Sequence, residues 1–474
     1  MNNEVNLNIK FYKTGTLTYT RFGLITLFIW LLWGDFCFTL MKTVIPALLP
    51  LSLRDMGASN MLLGLIVGSM PSAMNMIVNP IISVKSDKYR SRFGRRIPFL
   101  FIATPFVVLF LILIGYSDFI GFWLSSHGLN SYIISSISLT IALICIFSVG
   151  FQFFNMVVSS IYYYLFADVV PEQFMGRFMA WFQVMGTASG FLFYRYVFGL
   201  SKTHMREIYL VIGLVYLISF LFMCWRVKEG EYSPPENIEH KNVIKSIKVY
   251  LNECFGHFIY ILIFLSSAIF MFAVVSVNTF TVFFPRDTLG LSLDEIGKIQ
   301  SWCSLLAVCL LLPIGHLSDK FHPLRTYILG IMFYVIGMMF SFFIIHDKIT
   351  YFVCTLITTS LFLFFVVSNV PMFIALVPKE KYGQFSSANA IFVSVGIILG
   401  SFLAGKFFDL VGSYRFQYIW IAFFGFVSVI PMLFVYREWS RRGGVNGYIP
   451  PCTNTEPAQR CSDRSRHSEQ FSVK

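Results

Sequence analysis

The chain is short of charge. Only 13% of its 474 residues are Asp, Glu, Lys or Arg, against about 25% in soluble domains. Hydrophobic residues make up 56%, and the mean hydropathy is +0.70. A water-soluble globule is excluded, and a polytopic membrane protein is implied. Catalytic patterns are also missing: there is no Ser/His/Asp set, no His-Glu-x-x-His and no Gly-rich phosphate loop, so no enzyme is read. His204, His257 and His316 fall near the ends of apolar runs, where they face headgroups or loops. The nine cysteines are scattered, with no Cys-x-x-Cys and no Cys/His metal spacing. That gives neither a disulfide framework nor a metal site, and no cofactor is expected. The first apolar run is too long for the h-region of a signal peptide and lacks a small-residue cleavage site. The net charge of +12 lies in loops and tails. It matches an anionic inner leaflet and implies no nucleic-acid partner.

The apolar runs predict twelve spans of about 20 residues or more, giving an all-α polytopic fold. They fall near Phe22–Pro46, Asn60–Val84, 97–116, 132–165, 178–200 and 208–225, then 257–284, 293–314, 324–345, 350–376, 386–408 and 416–436. Residues 1–20 are polar and read as an unstructured or interfacial tail. A polar outer loop is expected around Ser125–Asn130. The Lys/Glu-rich stretch 227–256, with Pro234-Pro235, divides a first half (21–226) from a second (257–436). Within it Val243–Tyr250 could form a basic amphipathic surface helix. Residues 437–474 are a basic tail, read as unstructured.

The two halves echo one another. Ser86-Asp87-Lys88-Tyr89 returns as Ser318-Asp319-Lys320-Phe321. Val170-Pro171-x4-Gly176-Arg177-Phe178 returns as Val377-Pro378-x4-Gly383-Gln384-Phe385. The order is kept while the offsets differ, as unequal loops require. Parallel repeats of six spans are a known transporter architecture. The basic segments at 85–96, 226–248 and 320–325 and at Arg437/Arg441/Arg442 then share one side. The positive-inside rule puts that side, and both termini, in the cytoplasm.

The densest charge lies in Lys85–Phe99, where Lys85, Lys88, Arg90, Arg92, Arg95 and Arg96 surround Asp87. Each Lys or Arg at the bilayer midplane would cost about 2.5–3.5 kcal/mol, so this loop stays on the cytoplasmic side. Its Asp87, Gly94, Arg95 and Arg96 resemble the Asp-x(n)-Gly-Arg-Arg signature between the second and third helices of the major facilitator superfamily. The longer string Ser86-Asp87-Lys88-x-x-Ser91-Arg92-Phe93-Gly94-Arg95-Arg96-x-Pro98-Phe99 is similar to the glycoside–pentoside–hexuronide:cation and sucrose–proton symporters. The resemblance implies a twelve-helix carrier with a midplane site between its halves. It also implies a conformational latch in which Arg95 and Arg96 engage facing acids. Asp168 and Glu172, in the next cytoplasmic turn, are the expected partners, and Asp319 is the repeat counterpart of Asp87.

Ionisable groups inside spans are costly and are functional candidates by default. Asp35 lies 13 residues past Phe22, roughly 20 Å along a helix and near mid-membrane. No cation adjoins it in Trp33-Gly34-Asp35-Phe36. Desolvation penalises its ionised form, which suits a group that must take up and release a proton; a structural Asp bonded to a neighbouring helix is the alternative. Lys42 lies two turns further along the same face. Arg195 sits in the outer half of the fifth span, where the resembled sucrose symporters carry a functional Arg. Either cation could instead snorkel to headgroups. The fourth span departs from the family pattern: Gln152 stands where an Asp is expected, and Asn155 keeps the Asn position. Sodium coupling is disfavoured because no cluster of intramembrane carboxylates remains to coordinate it. Asn278 and Asn369 join the substrate-binding candidates, since amides beside aromatics suit a polyhydroxylated ligand. Asn75, Asn79, Gln300, Trp302 and Asn389 have the same chemistry, and any of these amides could equally be interhelical glue. Gly186/Gly190 and Gly396/Gly400 read as helix-packing pairs.

These observations together predict a secondary carrier, acting as a monomer among membrane lipids in a plasma or inner membrane. Its cargo would be a small polar solute, a sugar or glycoside, driven by protons. The alternatives are an organic anion such as a hexuronate, or a non-transporting sensor built on the same fold.

Overall fold

Long apolar segments in lipid must satisfy every backbone N–H and C=O internally, and helices do so within one segment. The computed structural model describes residues 11–127, 136–232, 252–378 and 381–451, and is dominated by long helices. In chain order we label them α1 (Arg21–Asp55), α2 (Asn60–Lys88), α3 (Ile97–Gly115), α4 (Ser136–Val169), α5 (Glu172–Leu192) and α6 (Met205–Arg226). They continue as α7 (Phe258–Asn278), α8 (Leu293–Phe321), α9 (Pro323–Ile344), α10 (Lys348–Leu376), α11 (Tyr382–Val411) and α12 (Gln417–Arg441). Eleven of the described helices are long and apolar enough to cross a membrane. The remaining one, α5, carries Glu172, Arg177 and Gln183 and is more polar.

Local chemistry sets the helix ends. Thr20 accepts a hydrogen bond from the Gly23 N–H (3.1 Å) and starts α1. Ser292 and Glu295 form a reciprocal capping box at α8, as Asp347 and Thr350 do at α10. Gly412, at φ +69°, ends α11.

Several expectations change. α1 runs on to Asp55 through Pro46 and Pro50 rather than stopping at Pro46; a membrane-embedded helix tolerates the lost N–H where neighbours re-satisfy the freed carbonyl. Residues 11–20 are not unstructured. Tyr12–Thr14 and Leu17–Tyr19 pair antiparallel as β1 and β2 around Gly15, whose φ is +54°. The Tyr12 ring meets Phe174 edge-on at 5.0 Å, and Thr16 Oγ1 accepts from the Glu231 N–H at 2.8 Å. The start of the C-terminal tail is ordered too. Trp439 is buried, Tyr448 donates to the Leu376 carbonyl (3.1 Å), and Tyr260 donates to that of Pro451 (3.2 Å). Ser117–His127 is helical, so the expected Ser125–Asn130 loop starts within a helix rather than a loop; residues 128–130, the proposed Val243–Tyr250 surface helix and the tail beyond 451 lie outside the described residues.

The helices sort into two compact units: 1–58 with 74–236, and 59–73 with 237–474. In the first, α1 packs on α5 and α6, and α3 on α4 and α6. In the second, α7 packs on α11 and α12, and α9 on α10 and α12. Adding six to each helix number of the first set gives the second, so the sequence repeat is also a packing repeat. Gly396 and Gly400 let α11 close on the α7 backbone at Ala268 and Phe272, as small residues do in membrane bundles. Within the same unit, the first turns of α2 lie against α11. Both Asp409 carboxylate oxygens cap that helix, accepting from the N–H groups of Asn60 and Met61 at 3.0 Å each.

Candidate functional site

Asp35 lies in the interior of the first unit. It is 1% exposed on α1, between two helices that come close for identifiable reasons. Gly186 on α5 has no side chain, and the position its Cβ would take lies 3.7 Å from Asp35 Oδ2. Ser189, one turn on, donates to the Phe36 carbonyl (3.0 Å), tying α5 to α1. On the other side, Tyr162 of α4 donates to the Leu31 carbonyl (2.6 Å). Asp35 Oδ1 receives one long hydrogen bond, from Thr39 (3.4 Å), and Oδ2 is buried without a partner among the described residues. A buried acceptor in that condition is costly and invites either a proton or a ligand donor.

Lys42, two turns further along α1, is exposed and holds its ammonium 5.5 Å from the centroid of the Phe38 ring. Arg195 lies where α5 gives way to a π-helical turn, Phe193–Val197; such turns recur at functional sites. Arg195 is half-buried, with its guanidinium 6.0 Å from the Tyr196 ring centroid, and forms no ion pair among the described residues. Gln152 and Asn155 are buried on α4, and Asn155 Oδ1 has no partner among the described residues. Asn79 is tied up, since its side-chain oxygen accepts from Tyr164 at 2.8 Å; for this amide the interhelical role holds. In the second unit Asn278 is exposed at the end of α7 and Asn369 is half-buried on α10. Asn389 keeps a buried, unpartnered Oδ1.

The basic loop folds into a closed network. Arg95 grips Asp168 at the end of α4 through two parallel bonds, Nε to Oδ2 at 2.9 Å and Nη2 to Oδ1 at 2.5 Å. Arg96 donates from Nε to Asp168 (3.2 Å), and from its two terminal nitrogens to Ser86 and Asp87. Bidentate, charge-assisted pairs of this kind are among the stronger polar contacts. Glu172, the other anticipated acid, is exposed in the first turn of α5 and forms no ion pair among the described residues. Its place is taken by Glu229, which the sequence reading missed. Its carboxylate accepts from the backbone N–H groups of Arg95 (2.9 Å), Arg96 (2.8 Å) and Ile97 (2.6 Å), capping α3. A negative charge at a helix N-terminus is favourable. Tyr232 donates to Glu229 (3.2 Å), and its ring lies 4.2 Å from the Arg95 guanidinium. Burial, and then the Glu229 charge, push the Tyr232 hydroxyl above its ordinary range, so it remains the donor. Gly94 makes the turn at φ +103°.

The second unit carries only a remnant of this network. Asp319 is exposed and makes no hydrogen bond or ion pair among the described residues, and Arg325 faces the Trp439 ring at 5.7 Å rather than an acid.

A sequence profile described as MFS/sugar transport protein matches residues 31–412. The chain belongs to this family. It is a major facilitator superfamily protein, and its family and fold are those of transporters, not enzymes. Solved structures of similar fold include a D-xylose–proton symporter (18% identity, TM-score 0.64, covering 87% of this chain and 98% of that one). The xylose transporter XylE from E. coli in an inward-open conformation matches at 16% identity and TM-score 0.63, over 91% and 98% of the two chains. The nucleoside transporter NupG matches at 12% identity and TM-score 0.64, over 86% and 100%. At such identities the likeness concerns the fold.

Proposed function

We propose that this transporter moves a small polar solute of the sugar or glycoside class by proton-coupled alternating access, with Asp35 as the proton-carrying group. The observation behind this is the Asp35 carboxylate itself, 1% exposed with Oδ2 unpartnered among the described residues. Such a group gains by alternating between a protonated form and one that meets a donor on the solute. The description of the matched family, sugar transport, supports the class of cargo. Gln152, Asn155, Asn278 and Asn369 supply amides, and Lys42 and Arg195 supply cations, for a hydroxyl-rich ligand. Arg95, Arg96, Asp87, Gly94 and Asp168 act as the latch whose making and breaking exchanges the two states. We place the basic loops and both termini in the cytoplasm, in a plasma or inner membrane, with a monomer as the working unit.

A second reading has its own support. Arg195 is half-buried with no ion pair among the described residues, which favours an anionic cargo such as a hexuronate. One experiment separates the readings. Uptake into proteoliposomes is measured for pooled neutral sugars and pooled uronates, with and without an inward proton gradient. Gradient-dependent uptake of neutral sugars supports the first reading. Uronate uptake alone supports the second, and uptake indifferent to the gradient overturns proton coupling.

A further inference from the structure

One face of α12 changes character along its length. Phe423, Phe426, Ile430, Phe434, Arg437 and Arg441 follow one another at spacings of three or four residues, so they share one stripe, and all six are exposed. The stripe is apolar for three turns and then basic. The membrane-facing surface of a spanning helix is expected to be apolar, so the first four need no partner beyond acyl chains. The two arginines border a cavity of about 400 Å³ between the end of α12 and the start of α7. Phe258, 70% exposed, and Phe434, 56% exposed, form part of its apolar wall. Arg442 also lines it but is engaged by Glu438, the one acid in the lining, through a 2.7 Å bond. Arg437 and Arg441 have no ion pair among the described residues. Among the described residues, the two arginines therefore bring positive charge without an ion-pair partner to the point where an apolar, lipid-facing stripe ends.

We propose that this cavity binds the phosphate of an anionic phospholipid, with Arg437 and Arg441 on the headgroup and the acyl chains along Phe434, Ile430, Phe426 and Phe423. Basic pockets at the ends of spanning helices suit such headgroups. A free phosphate would use the same two arginines but gain nothing from the apolar stripe, and that difference separates the two sources.

The test uses the full chain purified in a mild detergent. Native mass spectrometry counts bound adducts after incubation with phosphatidylglycerol, phosphatidylcholine or glycerol 1-phosphate. Phosphatidylglycerol should be retained, phosphatidylcholine should not, and excess glycerol 1-phosphate should fail to displace the bound lipid. The Arg437→Gln/Arg441→Gln variant should lose roughly tenfold or more of the adduct, and Arg437→Lys/Arg441→Lys should keep most of it. A photoactivatable phosphatidylglycerol on the unmutated protein should label the peptide spanning 434–442, which keeps the test decisive if the double variant folds poorly. Equal retention of phosphatidylcholine, displacement by glycerol 1-phosphate, full binding by the Gln variant, or labelling confined to other peptides would each overturn the proposal.

Discussion

Gly94 and Glu229 occupy adjoining space that no larger pair could share: a Cβ built on Gly94 would fall 2.5 Å from Glu229 Cδ. The closeness has a purpose, because Glu229 must reach three successive N–H groups at the head of α3. The glycine of the signature is thus required twice, by the approach of the acid and by its own φ of +103°. Gly94→Ala should lower the thermal midpoint of the solubilised protein, the strained backbone alone being worth about 1–3 kcal/mol. Adding Glu229→Ala relieves the clash, so the double variant should be less destabilised than the two single effects summed. Simple additivity would mean that the two residues do not share this space.

Arg95 offers the proposed latch a planar fork that lysine cannot reproduce. Arg95→Ala removes both bonds to Asp168, leaving that acid only the 3.2 Å contact from Arg96 Nε. Bonds to charged groups contribute about 1.5–3 kcal/mol. If they exist in one exchanging state only, transport should slow by about tenfold or more, with the protein still inserted. Arg95→Lys should fall between the two. Alkylation of single cysteines placed on either side of the membrane reports the accompanying shift in state, and unchanged transport in Arg95→Ala would refute a latch role.

Asp409 is a remote cap, accepting from Asn60 and Met61 far away in sequence. Tyr414 adds a 2.6 Å bond to Asn60 Oδ1. Asp409→Ala should cost about 0.5–2 kcal/mol, as loss of an N-terminal cap does. Asp409→Asn, which keeps one acceptor, should cost less. A thermal-shift series on the two variants checks the order, and midpoints equal to that of the unmutated protein would show the carboxylate to be dispensable there.

What was legible in the sequence follows a physical divide. Long apolar runs announce helices because lipid leaves the backbone no alternative, and the repeated Ser-Asp-Lys and Val-Pro strings announced the duplicated packing. The Arg95–Asp168 pair was legible because charge is scarce and Arg95 lies in the short loop before α3 while Asp168 ends α4. Glu229 was not, since its partners are backbone N–H groups that any sequence would present. The same holds for Asp409 and the head of α2. The Tyr12–Tyr19 hairpin escaped notice because two three-residue strands carry no period, and α1 outran Pro46 because the proline rule is learned from helices in water.

Arg195 tests the charge of the cargo. If the ligand is anionic, Arg195→Gln should depress uronate uptake far more than neutral glycoside uptake in matched proteoliposomes. Equal loss for both would make this arginine a structural residue of the π-helical turn, and the neutral-sugar reading would stand.

The proposed proton coupling rests on Asp35. Gln152 stands where the resemblance leads one to expect a second carboxylate, so under this proposal Asp35 alone carries the proton. Asp35→Asn keeps the shape of the side chain and mimics a permanently protonated carrier. Its amide can still accept from Thr39, so packing among α1, α4 and α5 should be retained. Exchange of labelled for unlabelled solute needs only loaded transitions and should survive. Under the proposed coupling, accumulation against a gradient needs the carrier to release its proton inside and return empty, a step the variant should lose. In the same liposomes, counterflow should therefore remain near the unmutated rate while proton-driven accumulation falls to the level of passive equilibration. Raising the external pH should slow accumulation by the unmutated protein and leave exchange by the variant unchanged. Continued uphill transport by Asp35→Asn on a proton gradient would place the coupling proton elsewhere and end this mechanism.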